Sequence, residues 1–274
     1  MRKSIVYLVG IFLGLSLTSD KTNTLVHNPD LQNTICDRFS PPQGYQRISV
    51  NSNSFGEYLR NLPLKAEGSL VHYYNGTSKQ NNGVYAAVVD LKIGDNNLHQ
   101  CADAVIRLRA EYLWSHQRYD EIKFNLTNGF TMDYSHWMNG YRLKVKGNKT
   151  WWEKTADYSN DYSSFWDYLE VVFTYAGTAS LEKELKPIST KNIQIGDVFI
   201  KGGFPGHCVI VVDICTDSQN QKAIMLAQSY MPAQETQILY NPKNETVWYM
   251  ESDYVDDLVT PEYYFSENSL RRFK

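Results

Sequence analysis

Two residues of this sequence have side chains that could act as a nucleophile and its base, Cys101 and His207. A thiolate can attack a carbonyl carbon, and a neutral imidazole within hydrogen-bond distance can take the proton of the thiol. Cys101 stands where a polar segment ends and a helix pattern begins, and the unpaired N–H groups of a helix start favour a thiolate. The alternative is a buried structural cysteine, which is the commoner role of a cysteine taken alone.

The sequence predicts the element on which each residue lies. After Cys101, apolar residues recur every three to four positions among good helix formers, which predicts a helix starting there with Asn96 or Asn97 as its cap. Residues 196–213, GDVFIKGGFPGHCVIVVD, predict two buried strands joined by a glycine-rich turn, with His207 at the start of the second strand. A histidine at a strand start is usually a core residue when it has no reactive partner. Nucleophilic catalysis therefore requires that Cys101 and His207 lie close together in the fold.

A third residue is needed to orient the imidazole. After His207 the chain turns near Gln219 and returns as AIMLAQSYM, which brings Gln228 and Ser229 within a residue or two of the histidine. Gln228 is the preferred third residue because its amide oxygen can accept a hydrogen bond from the imidazole, and Ser229 is the second choice. Asp213 lies too far along the strand of His207 to reach its ring.

Residues beside this predicted triad are the expected substrate contacts, namely Gln100, Phe204, Ser229 and Tyr230. The backbone N–H of Cys101 is the expected donor to a developing oxyanion. On the helix after the cysteine, Asp103, Arg107 and Glu111 share one face, which predicts an ion-pair ladder rather than a substrate site.

The order of these motifs resembles that of the NlpC-type branch of papain-like cysteine peptidases and amidases. The segments that carry the resemblance are QCADAV and GDVFIKGGFPGHCVIVVD. It implies an α+β papain-like fold, in which a helix bearing Cys101 packs on a mostly antiparallel sheet bearing His207. It also implies a secreted cysteine hydrolase that cleaves an amide bond, with cell-wall peptide as the substrate class.

A second resemblance covers most of the chain. PPQGYQRI, SFGEYLRNLPL, QCADAVIRLRAEYL, VFTYAGTASLEKEL, GGFPGH and LAQSYMPAQE are similar to an uncharacterised family of secreted bacterial proteins, domain-of-unknown-function family 4846. This resemblance implies kinship without an activity. The competing function is therefore a non-catalytic module that binds glycan or peptide. Its candidate contacts are aromatic residues that could stack on sugars but more often pack in a core, namely Tyr158, Tyr162, Phe165, Trp166 and Tyr168.

The start of the chain predicts export. Arg2 and Lys3 precede the apolar residues 4–17, a run shorter than the ~18 to 20 residues that span a bilayer. We therefore expect residues 1–19 to be a signal peptide, removed from a product that is periplasmic or extracellular and has no stable membrane insertion. A net charge of −3 without a basic run argues against a nucleic-acid partner.

We expect residues 20–40 to form a flexible segment, followed by one monomeric domain over 41–274 with an aromatic-rich insertion at about 115–187. Four cysteines in an exported chain leave open a disulfide that involves Cys36. No metal or cofactor is expected, since nucleotide and zinc motifs are missing from the sequence. His207 and Cys208 would not form a metal pair either, because neighbouring strand residues point to opposite faces.

Overall fold

The computed structural model describes residues 33–274, which form a mixed α+β fold with a mostly antiparallel sheet. The signal peptide and residues 20–32 of the expected flexible segment lie outside the described residues. Six α-helices are present in the described part of the chain: α1 Ile35–Arg38, α2 Phe55–Arg60, α3 Cys101–Ser115, α4 Tyr134–Met138, α5 Tyr162–Tyr175 and α6 Thr178–Glu184.

The strands fall into one large sheet and three hairpins. The large sheet contains β1 Gln46–Arg47, β2 Tyr85–Val88, β7 Lys186–Pro187, β8 Val198–Lys201, β9 His207–Thr216, β10 Lys222–Gln228, β11 Gln237–Leu239, β12 Trp248–Met250 and β15 Leu270–Arg272. The hairpins pair β3 Lys123–Asn125 with β4 Thr131–Asp133, β5 Tyr141–Lys146 with β6 Lys149–Lys154, and β13 Leu258–Val259 with β14 Tyr264–Phe265.

Strand β9 is the centre of the sheet. The main path runs β2-β11-β10-β9-β8-β15-β7, with β1 also paired to β9 and β12 to β10. The sequence HCVIVVDICT suits this position because its β-branched side chains fill both faces of a buried strand. Both of its predicted neighbours, β8 before the glycine-rich turn and β10 after the hairpin, pair with it antiparallel.

The two faces of β9 belong to different hydrophobic cores. Cys208, Ile210 and Val212 pack on the side of α3 and α5, which we call the helix-side core. Val209, Val211 and Ile214 pack on the other side with Tyr254, Leu258 and Phe265, which we call the far-side core. The alternation slips by one residue after Val211, where the pairing with β10 shifts register at a bulge.

Helix α3 is buried along most of its length against β9 and β10 in the helix-side core. Its apolar residues Ala102, Val105 and Ile106 recur at the spacing that keeps one helix face against the sheet. This packing holds the first residue of the helix next to the start of β9.

The N-terminal boundary of the domain differs from the prediction. Residues 33–40 are part of the fold: α1 begins after the cap Thr34, Ile35 is fully buried, and Thr34 forms a bridge with Pro63. A helix of four residues is too short to show periodicity in the sequence, which is why it was missed. None of the described helices has the length and apolar character needed to cross a membrane.

Candidate active site

Cys101 is the first residue of α3, preceded by Gln100 as the cap. The backbone N–H of Gln100 donates to the Asp103 carboxylate at 2.9 Å, so the first turn closes through a carboxylate and not through the predicted asparagines. Asn97 instead accepts from the backbone N–H of Ala233 at 2.8 Å, which ties the loop after β10 to the helix start. The backbone N–H of Cys101 is among the first four of the helix, which have no carbonyl partner within it.

The surroundings of Cys101 favour its thiolate. The neighbouring Cys208 thiol lowers its pKa well below the ordinary value, and the His207 imidazole lowers it further, although burial acts the opposite way. Burial raises the pKa of the Cys208 thiol, so that in this pair Cys208 keeps its proton and Cys101 carries the negative charge.

His207 is the first residue of β9, and its ring is almost fully buried. It packs against Tyr230, Tyr263 and Phe265, with ring centroids 4.7, 5.1 and 5.9 Å away. Gly206 just before it must be glycine, because a Cβ there would overlap the Gly203 carbonyl oxygen and the Thr178 hydroxyl. The glycine-rich turn thus sets the backbone position at which the histidine enters the sheet.

Gln228 contacts the imidazole directly. Its side-chain oxygen lies 2.7 Å from His207 Nε2, and it is buried at the end of β10. Since an amide oxygen only accepts, Nε2 is the protonated nitrogen and Nδ1 is left with a lone pair. The structure therefore brings Cys101, His207 and Gln228 together, in the order that a nucleophile, a base and an orienting group require.

The four expected substrate contacts have different surroundings. Gln100 is half-buried beside the thiol, Tyr230 packs on the imidazole with its ring tilted by 58°, and Phe204 on the glycine-rich turn is 93% exposed. Ser229 is a correction: it is fully buried, and its hydroxyl lies 2.7 Å from the Gln234 carbonyl oxygen and 2.9 Å from that of His99. Strand alternation turns it away from the face of Gln228, so it holds the backbone and cannot meet a substrate.

Asp213 lies at the other end of β9, as the strand length predicts. It is fully buried, with one oxygen accepting from Arg47 Nε at 2.6 Å and the other from Arg60 Nε at 2.7 Å. The bulge turns it toward α2, which carries Arg60. This arrangement pins β1 and α2 onto the sheet and has no part in the candidate site.

The charged ladder of α3 is buried. Arg107 and Glu111 lie 3.4 Å apart, and the Tyr162 hydroxyl donates to Glu111 at 2.6 Å. Asp103 faces the helix start instead, and burial raises the pKa of its carboxyl well above the usual value. Among the five aromatic residues considered for sugar stacking, four pack in or against the helix-side core and only Tyr158 is exposed. Of the four, Phe165 and Tyr168 are fully buried, and Tyr162 and Trp166 are half-buried.

All four cysteines are free, so Cys36 forms no disulfide in this structure. No group of three or more His, Cys, Asp or Glu side chains among residues 33–274 is arranged to hold a metal ion. Two surface grooves, one beside Arg109 and Phe124 and one beside Ile188 and Tyr254, are lined by neither Cys101 nor His207.

Two further residues at the site were not predicted. Glu262 accepts a hydrogen bond from the Gln228 side-chain nitrogen at 2.7 Å, and Lys79 lies 2.7 Å from the same carboxylate oxygen. Glu262 lies in the turn between β13 and β14, and Lys79 lies in the loop before β2. Neither segment has a strand or helix pattern of its own. No local signal in the sequence could have placed them beside Gln228.

The fold and the site together define a mixed α+β protein in which a cysteine at a helix start meets a histidine and a glutamine on a sheet. The chain belongs to the family described as Domain of unknown function (4846), which it matches over residues 35–272. No curated protein and no solved structure matches it. The predicted kinship with this family is confirmed, whereas the resemblance to NlpC-type peptidases stays a prediction.

Proposed function

We propose that this protein is a cysteine hydrolase that cleaves an amide bond, built on a papain-like scaffold of the NlpC type. The observation that carries the proposal is the 2.7 Å contact between His207 Nε2 and the Gln228 oxygen, next to a cysteine whose thiolate is favoured. An imidazole held in this tautomer has its basic nitrogen free for the thiol. A purely structural histidine would not need an orienting amide and a neighbouring thiolate together.

In the proposed reaction the sulfur of Cys101 attacks the amide carbonyl carbon while its proton resides on His207 Nδ1. The carbon–nitrogen bond then breaks, and the imidazolium returns this proton to the leaving amine. Water then attacks the carbonyl carbon of the resulting thioester and gives a proton to His207. The carbon–sulfur bond breaks, which releases the acid and restores the Cys101 thiolate beside the protonated His207. Gln228 stays hydrogen-bonded to Nε2 throughout and takes part in no bond change.

The helix start supplies the expected stabilisation of the tetrahedral intermediate. The unpaired backbone N–H of Cys101 and the positive end of the α3 dipole both face negative charge that develops at this position. The same features stabilise the thiolate before attack, which is consistent with the lowered pKa of Cys101.

Access for a substrate depends on the residues that cover the pair. Cys101 is 7% exposed and His207 only 1% exposed, with Tyr230 and Tyr263 packed over the imidazole. The exposed Phe204 stands on the turn just before the histidine. We propose that a substrate enters by displacing these tyrosine rings and that Phe204 contacts it outside the covered pair.

The proposed substrate class is a cell-wall peptide, and the proposed site of action lies outside the cytoplasm. Both proposals rest on the motif resemblance and on the N-terminal sequence, in which a basic start precedes a short apolar run. N-terminal sequencing of the exported protein tests the second proposal. A product that begins near Asp20 is expected, and a membrane-bound product that keeps Met1 would contradict it.

The deciding experiment incubates the chain from Asp20 onward with muropeptides and with unmodified peptides, and identifies products by mass spectrometry. Cys101→Ala is expected to abolish product formation while the protein stays folded. Cys215→Ala is the matched control, because it removes a buried thiol that lies near the opposite end of β9 from His207. Products from wild type and Cys101→Ala in equal amounts would refute the hydrolase. No products from either protein, together with binding of a glycan, would favour the binding module.

A further inference from the structure

The hydrogen bonds at the candidate site continue beyond Gln228. The Gln228 side-chain nitrogen donates to Glu262 Oε2 at 2.7 Å. Lys79 Nζ contacts both oxygens of the same carboxylate, at 2.8 and 2.7 Å. Lys79, Glu262, Gln228 and His207 thus form one continuous chain of side chains, in which each contact is at hydrogen-bond distance.

The donor and acceptor roles in this series of side chains are set by Glu262. An amide side chain presents an oxygen and a nitrogen of nearly equal size, so Gln228 alone could face His207 with either atom. A carboxylate accepts and cannot donate, so Glu262 requires the nitrogen of the amide to face it and leaves the oxygen for the imidazole. The opposite orientation would put an N–H group against Nε2 and would require the proton on Nδ1, the nitrogen that must receive the proton of the thiol.

We propose that Glu262 is a positioning residue that fixes the orientation of the Gln228 amide, and through it the tautomer of His207, with Lys79 holding the carboxylate in place. This inference rests on the proposed function, since a tautomer matters only if the imidazole serves Cys101. Glu262 acts through Gln228 and touches no reacting atom.

The placement of Glu262 is built into the fold. It lies in the turn between β13 and β14, which is closed by a hydrogen bond from the Thr260 N–H to the Tyr263 carbonyl at 2.9 Å. The next residue, Tyr263, packs on the His207 ring and its hydroxyl donates to the Pro205 carbonyl at 3.3 Å. Lys79 is buried, which strengthens its attraction to the carboxylate relative to an exposed pair.

The test uses Glu262→Ala in the otherwise intact chain, with Glu267→Ala as the control, because Glu267 is an exposed carboxylate five residues further on. Glu262→Gln is the conservative variant, since its amide oxygen can still accept from Gln228. Two measurements are made. The nitrogen-15 chemical shifts of His207 are recorded by NMR with Cys101→Ala added to every protein, so that no thiol proton resides on the imidazole, at a pH where the ring is neutral. The rate of Cys101 alkylation by iodoacetamide is measured across a pH series in the proteins that keep Cys101.

In wild type and in Glu267→Ala, we expect NMR to show the proton on Nε2. In Glu262→Ala we expect a measurable population protonated on Nδ1, together with alkylation near neutral pH that is slower by roughly 10-fold, which corresponds to about 1.4 kcal/mol lost from the pairing of thiolate and imidazole. We expect Glu262→Gln to recover part of this loss. Tautomer and alkylation rate in Glu262→Ala equal to those of the control would overturn the inference.

Neither measurement needs a substrate, so the two proposals fail separately. A shifted tautomer in Glu262→Ala with no amide cleaved by the wild type would leave the positioning role standing and would remove the hydrolase. Cleavage that depends on Cys101 but proceeds equally in Glu262→Ala and Glu267→Ala would support the hydrolase and would remove the positioning role of Glu262.

Discussion

Strand β9 buries two polar residues, His207 at its start and Asp213 toward its other end, and each is surrounded by segments distant in sequence. The two residues differ in how completely they are paired. At Asp213 each carboxylate oxygen is paired with an arginine, Arg47 or Arg60, and one of them also accepts from the Ile214 backbone N–H at 2.8 Å, so the charge is fully compensated. At His207 one ring nitrogen is held by Gln228, and the other remains free for a thiol. A buried polar group that is fully paired stabilises the fold, whereas a group with one unpaired nitrogen can take part in proton transfer.

The same contrast extends to the neighbouring residues. Five buried side-chain atoms in the described part of the chain have no hydrogen-bond partner within the protein, and four of them belong to residues near Cys101 or opposite Gln228: His99, Asp103, Thr236 and Gln237. Unpaired buried polar groups reduce stability, and they are concentrated where function competes with packing. The His207 end of β9 is therefore the less optimised part of the sheet, as expected of a functional site.

The largest expected effect comes from removing the base. His207→Asn keeps a polar side chain of smaller size at the strand start but cannot take a proton from the thiol. Turnover of a cleaved substrate is expected to fall by about 10³-fold, within the range for loss of general base catalysis. A steady-state assay against wild type measures this, and a fall of less than a few-fold would show that another group is the base.

The other end of the strand is expected to respond in stability alone. Asp213→Asn leaves two arginines without their carboxylate in a buried position, which is expected to cost about 3 kcal/mol of unfolding free energy. Denaturant unfolding measures the loss. Alkylation of Cys101 in the folded protein should proceed at the wild-type rate, and a changed rate would mean that the two ends of β9 are coupled.

The orienting amide is expected to have an intermediate effect. Gln228→Ala leaves the imidazole in place between Tyr230 and Tyr263 but removes the acceptor that selects its tautomer. Turnover should fall by roughly 10-fold to 100-fold, less than in His207→Asn, because the amide enters no bond change. If Gln228→Ala and His207→Asn lose turnover equally, Gln228 would have a direct role in the reaction.

The sequence predicted the parts of the site that depend on local pattern. Cys101 coincides with the first residue of α3 and His207 with the first residue of β9, because helix periodicity and β-branched runs are short-range signals. The hairpin between β9 and β10 was enough to bring Gln228 near His207, although the bulge in the pairing shifts the register by one residue. Such a shift is invisible in the sequence pattern.

The parts that were missed depend on tertiary packing. Glu262 and Lys79 come from loops whose sequences contain no period, and only the fold brings them to Gln228. Ser229 was wrong as a substrate contact because adjacent residues of an extended segment face opposite ways. The two arginines of Asp213 were likewise out of reach, since they are separated from it by more than 150 residues.

The smallest predicted effect is the response to acid of the residues around Cys101. His99, two residues before Cys101, is buried, and burial lowers its pKa from the ordinary 6.5 to about 3. Below pH 6.5 the unfolded chain therefore binds a proton that the folded chain refuses, and stability declines as the pH falls toward 3. At pH 5.5 this group alone is expected to cost about 1.3 kcal/mol of unfolding free energy relative to pH 7. In His99→Leu the decline between pH 6.5 and 5.5 should be smaller by about 1 kcal/mol, whatever the variant's stability at pH 7. His136→Gln, which replaces an exposed histidine, should keep the wild-type decline. Unfolding curves at the two pH values give the comparison. Equal declines in wild type and His99→Leu would show that His99 is protonated in the folded state, and that the neighbourhood of Cys101 is no more sensitive to acid than the rest of the fold.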